Sequence, residues 1–503
     1  MNRNFFKIAI YMLALLSFAG CVKDENIFEL KTLNTLSIQT ATDAYSVTQS
    51  ERLVIAPAVK ESLPEGTVYK YEWKLSSTAT GVEVKDTLIS DKKDLDVAIN
   101  VKSGNYYLRY YITDTKTGLV TIKQFTLAVN GFYNLGWMIA SNKGEKGMVS
   151  FIREADQQLI LNAPEAANGK TYGKAKGIYN AALLNMPEVL YFSDQGVFAF
   201  DANNFKLLRT TMDLFGRNMT FGTNPYYIQA PLESDQYIIN NGNIYGTLGP
   251  YWYNIGFGEF YADLGTYSER FEGNYALFPL GMPQTTGSST YFYDNNSKKF
   301  MLVTYGTRTI NPTTGNSFNA TSNPLGFNLA ESTGKTMVGG DYLNGGEHVC
   351  VVKDNSNEYY IYTLRSNTSP FAGITQKIEN SPDIQKSIAY ATSTLYRHMY
   401  YAAENKIYLY DIINNSSRLV YTFPLGYQIK DLKMFKREGT RNVRSAADPM
   451  HNKRLVAAVN TGVAGEGEVY FLNLTLLGDI ENNTFNKKYA GLGEIVNMKY
   501  RYP

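Results

Sequence analysis

The residues that could do acid–base or metal chemistry are few and far apart. His348, His398 and His451 are the only histidines, at intervals of about 50 residues. No His-x-x-x-His pair offers two imidazoles for one zinc ion. His348 and His398 each precede an apolar, strand-like run, which predicts two buried structural histidines. The histidines therefore predict neither a metal site nor a cofactor.

Other catalytic signatures are equally scarce. There is no Gly-x-Ser-x-Gly nucleophile elbow and no phosphate-binding loop. Cys350 lies within the apolar run Val349–Val352, where a buried inert thiol is expected. The clusters beginning at Asp294 and Asp354 lack the Gly and closing Glu of an EF-hand, so they are interpreted as hairpin turns. Two carboxylates from distant parts of the chain could still meet, and this keeps glycoside hydrolysis open as an alternative.

Aromatic residues on Gly- and Pro-rich loops give the best indication of ligand binding. Their rings have flat apolar faces and polar edges, which suit stacking on sugar rings or holding peptide side chains. Trp252 is the best single candidate for an exposed contact, and the alternative for each residue is packing within the core. The candidates are Trp252, Tyr251, Tyr253, Tyr226 and Tyr227.

The N-terminus has the features of a secretory signal. Arg3 and Lys7 precede an apolar run from Ile8 to Phe18, and two small residues follow that run. The run has about 11 residues, whereas a membrane-spanning helix needs roughly 20. Residues 1–20 are therefore predicted to be a signal peptide.

Cys21 follows the small residues directly. The stretch Leu15–Cys21 resembles the lipobox of bacterial lipoproteins, which implies that Cys21 is acylated and begins the mature chain. Several acyl chains would hold the protein on a membrane durably. Residues 21–35, which have few apolar residues, would form the lipidated tether. The alternative is a soluble secreted protein with an incidental cysteine.

Three charged residues follow the lipobox. Lys23, Asp24 and Glu25 resemble the export signal of surface lipoproteins in the Bacteroidota. The resemblance implies a location on the outer membrane, facing the extracellular side. Protease shaving of intact cells distinguishes this location from a periplasmic one.

Composition excludes several classes of protein. Removing Arg3 and Lys7 with the signal leaves 46 of the 48 basic residues against 46 acidic ones. A net charge of zero, without a Lys/Arg run, argues against nucleic acid as a partner. With Cys21 acylated, Cys350 has no partner for a disulfide. The 40 Tyr, 26 Phe and 41 Gly favour strands and turns and predict an all-β fold.

Residues 36–130 are predicted to form a β-sandwich of the immunoglobulin type. Period-two alternation marks strands at 67–75 and 106–113, and a third strand is expected at 119–129 after a turn cluster. Tyr71-Glu72-Trp73 and the Tyr-rich stretch from Gly104 resemble PKD-like domains. Trp73 is assigned to core packing, not to binding.

Residues 131–503 are predicted to form a β-propeller. Seven times an apolar or aromatic run crosses a polar turn and returns as a second run, the pattern of a β-hairpin. The hairpins begin at positions 137, 191, 237, 291, 348, 399 and 454. A blade with its loops needs about 40 to 50 residues. Seven blades are expected, with six and eight as alternatives, and the strand at 494–500 is expected to join the blade that begins near Trp137. A helical turn is expected at Ser381–Ile384.

Together these features resemble the PKD-like family lipoproteins that accompany starch-utilisation-type (SusCD-like) outer-membrane uptake systems. The resemblance implies a non-catalytic accessory protein that captures an oligosaccharide or peptide and works with a SusC-like porin and a SusD-like lid lipoprotein. The alternatives are a surface glycoside hydrolase or lyase, and a scaffold that contacts only the porin.

Overall fold

The protein is all-β and consists of two compact units, Met1–Asn130 and Gly131–Pro503. In the described part of the chain, no helix has the length and apolar character needed to span a bilayer. The computed structural model describes residues 33–63, 66–78, 86–183, 186–229, 236–247, 269–283, 289–304, 310–312, 326–344, 347–365, 372–393, 397–436 and 450–501.

The described residues of the first unit form one large sheet and two strand pairs. The large sheet has the order β2-β9-β8-β5-β6, in which only β2 and β9 run parallel, and the smaller pairs are β1–β4 and β3–β7. Its strands are β1 (Leu36–Gln39), β2 (Ala44–Thr48), β3 (Arg52–Ile55), β4 (Ala58–Glu61), β5 (Tyr69–Ser77), β6 (Thr87–Ser90), β7 (Leu95–Ala98), β8 (Gly104–Asp114) and β9 (Val120–Asn130).

Trp73 forms the centre of the first unit's core, which confirms its predicted packing role. It is fully buried, and its ring stacks on that of Tyr110 with 4.2 Å between centroids. Its Nε1–H donates to the carbonyl of Lys92 at 3.1 Å, so the one polar atom of the indole is satisfied. Leu53 of β3 and Leu95 of β7 pack against the same cluster. These two strands therefore form a second layer over one face of the large sheet.

The described residues of the second unit form seven four-stranded antiparallel sheets. Two short helices, α1 (Ala163–Asn168) and α2 (Thr211–Phe215), and two 3-10 turns, Ile384–Lys386 and Glu481–Asn483, connect strands. The first of these turns lies slightly beyond the helical turn expected at Ser381–Ile384.

The strands, in chain order, are β10 (Gly136–Lys143), β11 (Lys146–Arg153), β12 (Leu159–Ile160), β13 (Ala175–Leu183), β14 (Met186–Ser193), β15 (Gly196–Asp201), β16 (Leu207–Arg209), β17 (Tyr226–Gln229), β18 (Gln236–Asn240), β19 (Asn243–Thr247), β20 (Glu269–Arg270), β21 (Met282–Pro283), β22 (Ser289–Asp294), β23 (Lys299–Thr304), β24 (Ile310–Pro312), β25 (Thr336–Asn344), β26 (Glu347–Lys353), β27 (Tyr359–Arg365), β28 (Ala372–Lys377), β29 (Ser387–Ser393), β30 (His398–Ala403), β31 (Lys406–Asp411), β32 (Ser416–Thr422), β33 (Gln428–Met434), β34 (Arg454–Asn460), β35 (Gly467–Asn473), β36 (Lys487–Tyr489) and β37 (Glu494–Arg501). We number the sheets 1 to 7; their strand orders are β37-β10-β11-β12, β13 to β16, β17 to β20, β21 to β24, β25 to β28, β29 to β32 and β33 to β36.

All seven predicted hairpins are present as the second and third strands of these sheets. The prediction succeeded because each pair of runs is joined by a short polar turn that fixes the register. The strand at the C-terminus, β37, pairs with β10 as expected and places Tyr500 opposite Trp137. Sheet 1 is therefore built from both ends of the unit.

Consecutive sheets share their apolar cores. Side chains alternate between the two faces of each strand, so each sheet packs on a neighbour on either side. Trp137 of sheet 1, for example, lies in one cluster with Val456 and Phe471 of sheet 7. Six other clusters join sheets 1 and 2, 2 and 3, and so on to 6 and 7. The packing contacts thus run from sheet to sheet and return to sheet 1, in a propeller-like arrangement.

Asparagines at the ends of second strands connect neighbouring sheets. Oδ1 of Asn142 accepts from the backbone N–H of Ala175 at 2.7 Å. Asn295 and Asn460 make the same bond to the N–H groups of Met337 and Ile495, each at 2.8 Å. In each case the bond satisfies a backbone N–H at the start of the next sheet's first strand. The hydrogen bonds between the strands of that sheet leave this N–H without a partner.

Candidate functional site

The first strands of the sheets converge in the middle of the second unit. Lys499 of sheet 1 lies 5.8 Å from the ring centre of Tyr226 in sheet 3. Lys436, which follows the first strand of sheet 7, bonds Asp341 of sheet 5 at 2.8 Å. Both contacts pass over an intervening sheet, so these side chains share one central space.

In one group of these residues, the lysine has no N–H donor to spare. The ammonium of Lys436 donates to Oδ2 of Asp341 and Oγ1 of Thr392, each at 2.8 Å, and to the carbonyl of Tyr342. An ammonium has three donors, and all three are used here. Only 6 % of the Lys436 side chain is exposed. We call Asp341, Tyr342, Thr392 and Lys436 the saturated cluster.

Asp341 is held in its charged form within this cluster. It accepts from the backbone N–H of Thr392 at 2.8 Å and from that of Tyr342 at 2.9 Å. Burial acts to raise the pKa of Asp341, but the Lys436 ammonium and the hydrogen bonds outweigh it and leave the pKa below its usual range. The carboxylate therefore links β25, β29 and the segment after β33, and it does not exchange protons near neutral pH.

His348 lies next to the saturated cluster and is neutral. It is 2 % exposed, and its ring packs edge-on to Tyr342 with 5.2 Å between centroids. Burial lowers the pKa of His348 to about 4, even though a hydrogen bond to the backbone of Pro283 acts in the opposite direction. An imidazole with this pKa is a poor proton relay at pH 7. The interpretation as a structural histidine is supported.

Cys350 is inert, as predicted. Its thiol is completely buried and donates to the sulfur of Met282 at 3.3 Å. Burial raises the pKa of Cys350 to about 12. The thiolate is therefore negligible at neutral pH, and no nucleophile forms.

A second group of central residues has accessible surface. The ammonium of Lys433 lies 2.9 Å from Oδ1 of Asp431, yet 34 % of the Lys433 side chain is exposed. Burial acts to lower the pKa of Lys433, but the Asp431 carboxylate outweighs it and raises the pKa, so the lysine stays charged. The ammonium of Lys499 lies 5.3 Å from the ring centre of Tyr179 and 5.8 Å from that of Tyr226. We call Tyr226, Lys433 and Lys499 the accessible cluster.

Adjacent tyrosines of β17 have different environments. Tyr226 is half-buried and belongs to the accessible cluster. Tyr227 is 5 % exposed and packs in the core between sheets 2 and 3. Both rings contact Tyr179, and Tyr226 packs only partly against the clusters on either side of sheet 3, so the two tyrosines differ in how deeply they are buried. Core packing, the alternative named for each aromatic candidate, accounts for Tyr227 and leaves little of its ring for a ligand.

The remaining predicted site residues lie outside the described part of the chain. They are Cys21, Lys23, Asp24, Glu25, Tyr251, Trp252 and Tyr253.

Sequence reasoning missed the clusters because their members come from different sheets. Asp341 and Lys436, for instance, are 95 positions apart in the chain. A weak signal exists in the stretch Asp431–Lys436, where three charged residues interrupt an apolar strand. Among the described residues, no group of three or more His, Cys, Asp or Glu side chains is arranged to hold a metal ion.

Comparison with known proteins supports the N-terminal assignment. The fold defines the class of protein. It is an all-β protein with a sandwich-like first unit and a propeller-like second unit. Residues 21–176 match the PKD-like family. The match covers the first unit and the first strands of the second. No curated protein matches the chain.

Several solved structures from Bacteroides resemble the fold. A quinonprotein alcohol dehydrogenase-like protein from Bacteroides thetaiotaomicron is 10 % identical with a TM-score of 0.45, covering 92 % of this chain and 99 % of that one. A DUF4784 family protein from Bacteroides caccae is 10 % identical with a TM-score of 0.29, covering 77 % and 95 %. The extracellular domain of a putative one component system from B. thetaiotaomicron is 8 % identical with a TM-score of 0.31, covering 92 % and 68 %. At these values no function transfers from those proteins to this chain.

Proposed function

We propose that the protein is a non-catalytic lipoprotein on the outer face of the outer membrane, serving as the accessory ligand-capture or scaffold subunit of a SusCD-like nutrient-uptake complex. One observation carries the proposal. The charged groups that meet in the second unit divide into a saturated cluster, which maintains the fold, and an accessible cluster, which offers cations and aromatic rings to a ligand.

This division favours binding over turnover. A general acid or base needs a pKa near the working pH and a proton to exchange. Asp341 has a lowered pKa and His348 one of about 4, so neither matches that need. Tyr226 and Lys499, by contrast, present a ring face and a fixed charge, which suit recognition.

The seven sheets are proposed to be the seven blades of a closed propeller. The return of the packing contacts from sheet 7 to sheet 1, through Trp137 and Phe471, supports this arrangement. Closure covers the apolar faces of every sheet and leaves only short edges exposed.

The lipid anchor is proposed to be Cys21, followed by the surface-export signal at residues 23–25. The family match begins at residue 21, where a mature lipoprotein would begin. The tether at residues 21–35 would then connect the anchor to the first unit.

The anchor can be tested with a matched pair of cysteine variants. Cys21→Ala should abolish labelling by a fatty-acid analogue and release the protein from the membrane fraction, whereas Cys350→Ala should keep both. Protease treatment of intact cells should digest the wild-type protein. Equal labelling of the two variants, or protection until the outer membrane is broken, would contradict the anchor and the surface location respectively.

Capture can be tested with the purified protein. A panel of oligosaccharides and peptides should include ligands that are retained without any product. The SusC-like porin and SusD-like lid should copurify after mild detergent extraction. New reducing ends or cleaved peptides would instead support the surface hydrolase or lyase, and copurification without retention of any ligand would support a pure scaffold.

A further inference from the structure

The large sheet of the first unit has a second face, which lies away from the core. Trp73 of β5, Tyr110 of β8 and Phe125 of β9 are buried in the core. Because successive residues of a strand point to opposite faces, the residues on either side of these three belong to the other face of the sheet. We call it the outer face. Its residues on the three adjacent strands are Glu72, Lys74 and Ser76 of β5, Tyr107, Arg109 and Tyr111 of β8, and Ile122, Gln124 and Thr126 of β9.

The strand register aligns the outer-face residues in three rows across the sheet. Arg109 lies in the central row, directly opposite Gln124. Tyr107 and Tyr111 lie in the two flanking rows, each two positions from Arg109 along β8. Ile122, opposite Tyr111, is 54 % exposed. The outer face therefore combines a planar cation at its centre with phenol rings and an exposed aliphatic side chain around it.

The guanidinium of Arg109 is held in place and still has donors to offer. Its Nε donates to Oε1 of Gln124 at 2.9 Å, and its Nη1 donates to Oγ of Ser76 at 3.1 Å and to Oδ1 of Asp86 at 2.6 Å. A guanidinium has five N–H donors, and the two on Nη2 make no hydrogen bond to the described residues. The side chain is 21 % exposed. Two N–H groups of a fixed, planar cation are therefore available to an acceptor on a ligand.

Carboxylate acceptors lie beside these donors. Oδ2 of Asp86 accepts from the Tyr111 hydroxyl at 2.9 Å, and 29 % of the Asp86 side chain is exposed. Burial acts to raise the pKa of Asp86, but the Tyr111 hydroxyl and the Arg109 guanidinium outweigh it and lower the pKa, so the carboxylate stays charged. Glu72 lies opposite Tyr111 on β5, and its side chain is 19 % exposed. Each carboxylate has more acceptor positions than one contact fills, so both can also accept from a ligand.

The charges of the outer face are paired locally. The Arg109 guanidinium lies 2.6 Å from the Asp86 carboxylate. The Glu72 carboxylate lies 3.1 Å from the ammonium of Lys70 and 3.4 Å from that of Lys74. A ligand therefore needs no charge of its own to bind here. Hydroxyl groups, which both donate and accept, match a surface on which donors and acceptors alternate.

The position of β8 in the sheet argues against an extended peptide as the ligand. β8 pairs with β5 along one edge and with β9 along the other. Its backbone groups are used within the sheet, whereas strand addition needs a free edge with main-chain donors and acceptors. The outer face offers side chains alone. This favours a ligand that carries its polar groups as substituents of compact rings.

We propose that the outer face of the first unit, centred on Arg109 and Tyr107, is a binding site for a neutral oligosaccharide. Arg109 donates to sugar oxygens, and the Asp86 carboxylate accepts from sugar hydroxyls. Tyr107 and Ile122 pack against the C–H groups of the sugar rings. The proposal deepens the capture function above and rests on it, because it names the ligand class and assigns a site to the first unit.

Calorimetric titration of the full mature chain tests the ligand class with defined probes. The oligosaccharide probes are cellohexaose, maltohexaose, mannohexaose and xylohexaose, and an uncharged peptide of similar size is the comparison. At least one oligosaccharide should bind. Its affinity should be nearly the same at low and at high salt, because an uncharged ligand gains little from the electrostatic interactions that salt screens.

Variants of the central row and its neighbour then assign the binding to the outer face. Arg109→Gln removes the Nη2 donors, and Tyr107→Ala removes the ring, so each should weaken oligosaccharide binding about tenfold or more. Arg52→Gln is the matched control. Arg52 also pairs with an aspartate, Asp96 at 2.7 Å, but it belongs to β3, in the layer on the core side of the sheet. This control should bind like wild type.

A second pair of variants separates binding from folding. Ile122→Ser changes a side chain that is already exposed, so the fold should be kept, and it should weaken binding about threefold or more through the lost apolar contact. Val54→Ser makes a similar change on β3, where Val54 is 64 % exposed, and should bind like wild type. Thermal denaturation of each variant shows whether the fold is retained. If Arg109→Gln is destabilised, the Ile122→Ser and Val54→Ser pair decides the outcome.

The outcomes separate the inference from the proposed function. If an oligosaccharide binds but Arg109→Gln, Tyr107→Ala and Ile122→Ser all bind like wild type, the outer face is not the site and the inference is overturned, while capture stands. If the peptide binds and no oligosaccharide does, the ligand class is wrong and capture again stands. If no probe binds, capture and the outer-face site both fail.

Discussion

The saturated and accessible clusters contain the same chemical groups but differ in solvent exposure and in the number of hydrogen bonds. Lys436 and Lys433 are three residues apart and each contacts an aspartate, at 2.8 and 2.9 Å. Yet 6 % of one side chain is exposed and 34 % of the other. The difference lies in the acceptors around each ammonium, since among the described residues Lys436 has three and Lys433 has one.

That difference separates stabilisation from recognition. Breaking a buried, fully bonded ion pair destabilises the protein strongly, because the remaining partner is then a buried charge without a counterion. A partly exposed pair contributes little to stability. Its residues can therefore rearrange when a ligand binds, at a small cost in free energy. We therefore expect substitutions in the saturated cluster to affect unfolding and those in the accessible cluster to affect binding.

The largest effect is expected from Asp341→Ala. It leaves the buried Lys436 ammonium without its counterion and should lower the free energy of unfolding by about 3–5 kcal/mol. Asp479→Ala is the control, because the Arg418–Asp479 pair has the same 2.8 Å separation but both side chains are 45 % exposed. The control should cost about 1 kcal/mol or less. Equal losses in urea denaturation would contradict the distinction.

The boundary of the accessible cluster can be located with the two tyrosines of β17. Tyr227→Ala removes a buried ring and should destabilise the protein by about 3–4 kcal/mol. Tyr226→Ala removes a half-buried ring and its contact with Lys499, which should cost about 1 kcal/mol. Thermal denaturation of both variants checks this order. A larger loss for Tyr226→Ala would show that Tyr226, not Tyr227, is the more deeply packed ring.

His348, which lies beside the saturated cluster, should make the stability of the protein depend on pH. Since the pKa of His348 is about 4 in the folded protein and about 6.5 when unfolded, the unfolded chain binds more protons between these values. Stability then falls as the pH drops from 6.5 to 4, by about 3 kcal/mol for this group. His348→Gln should lack that part of the loss. Parallel denaturation curves for the variant and the wild type across this range would refute the buried, neutral imidazole.

The smallest effect on stability is expected in the accessible cluster itself. Lys433→Met should lower the free energy of unfolding by about 1 kcal/mol, since it removes a single contact of a side chain that is 34 % exposed, and the N–H groups of Leu432 and Met498 still bind the buried Asp431 carboxylate. Lys436→Met, with the same change of side chain three residues later, should cost about 3 kcal/mol or more. Chemical denaturation of the two variants side by side measures the contrast. A loss of stability for Lys433→Met as large as that for Lys436→Met would contradict the contrast between the two clusters.

Local patterns predicted what local interactions determine. The seven hairpins followed from paired apolar runs and their turns, and Trp73 followed from its place in an alternating strand. The C-terminal strand was also assigned to its partner, the first strand of the blade that begins near Trp137.

The clusters could not be predicted in the same way. They depend on the convergence of first strands whose residues are 95 positions apart, as Asp341 and Lys436 are. The periodicity of a single strand does not indicate which side chains from distant parts of the chain contact that strand. Tyr226 and Tyr227 show the same limit at short range, because two adjacent tyrosines of one strand differ in exposure although both pack on neighbouring sheets.

Chemical modification of the lysines in the folded protein tests the contrast most directly. Lys430, Lys433 and Lys436 lie within one short stretch, so reductive methylation followed by peptide mapping compares them in a single sample. Lys430 and Lys433 should become methylated, while Lys436 should stay protected until the protein is unfolded. Modification of Lys436 at the rate of Lys433 would show that the saturated cluster does not exist as described.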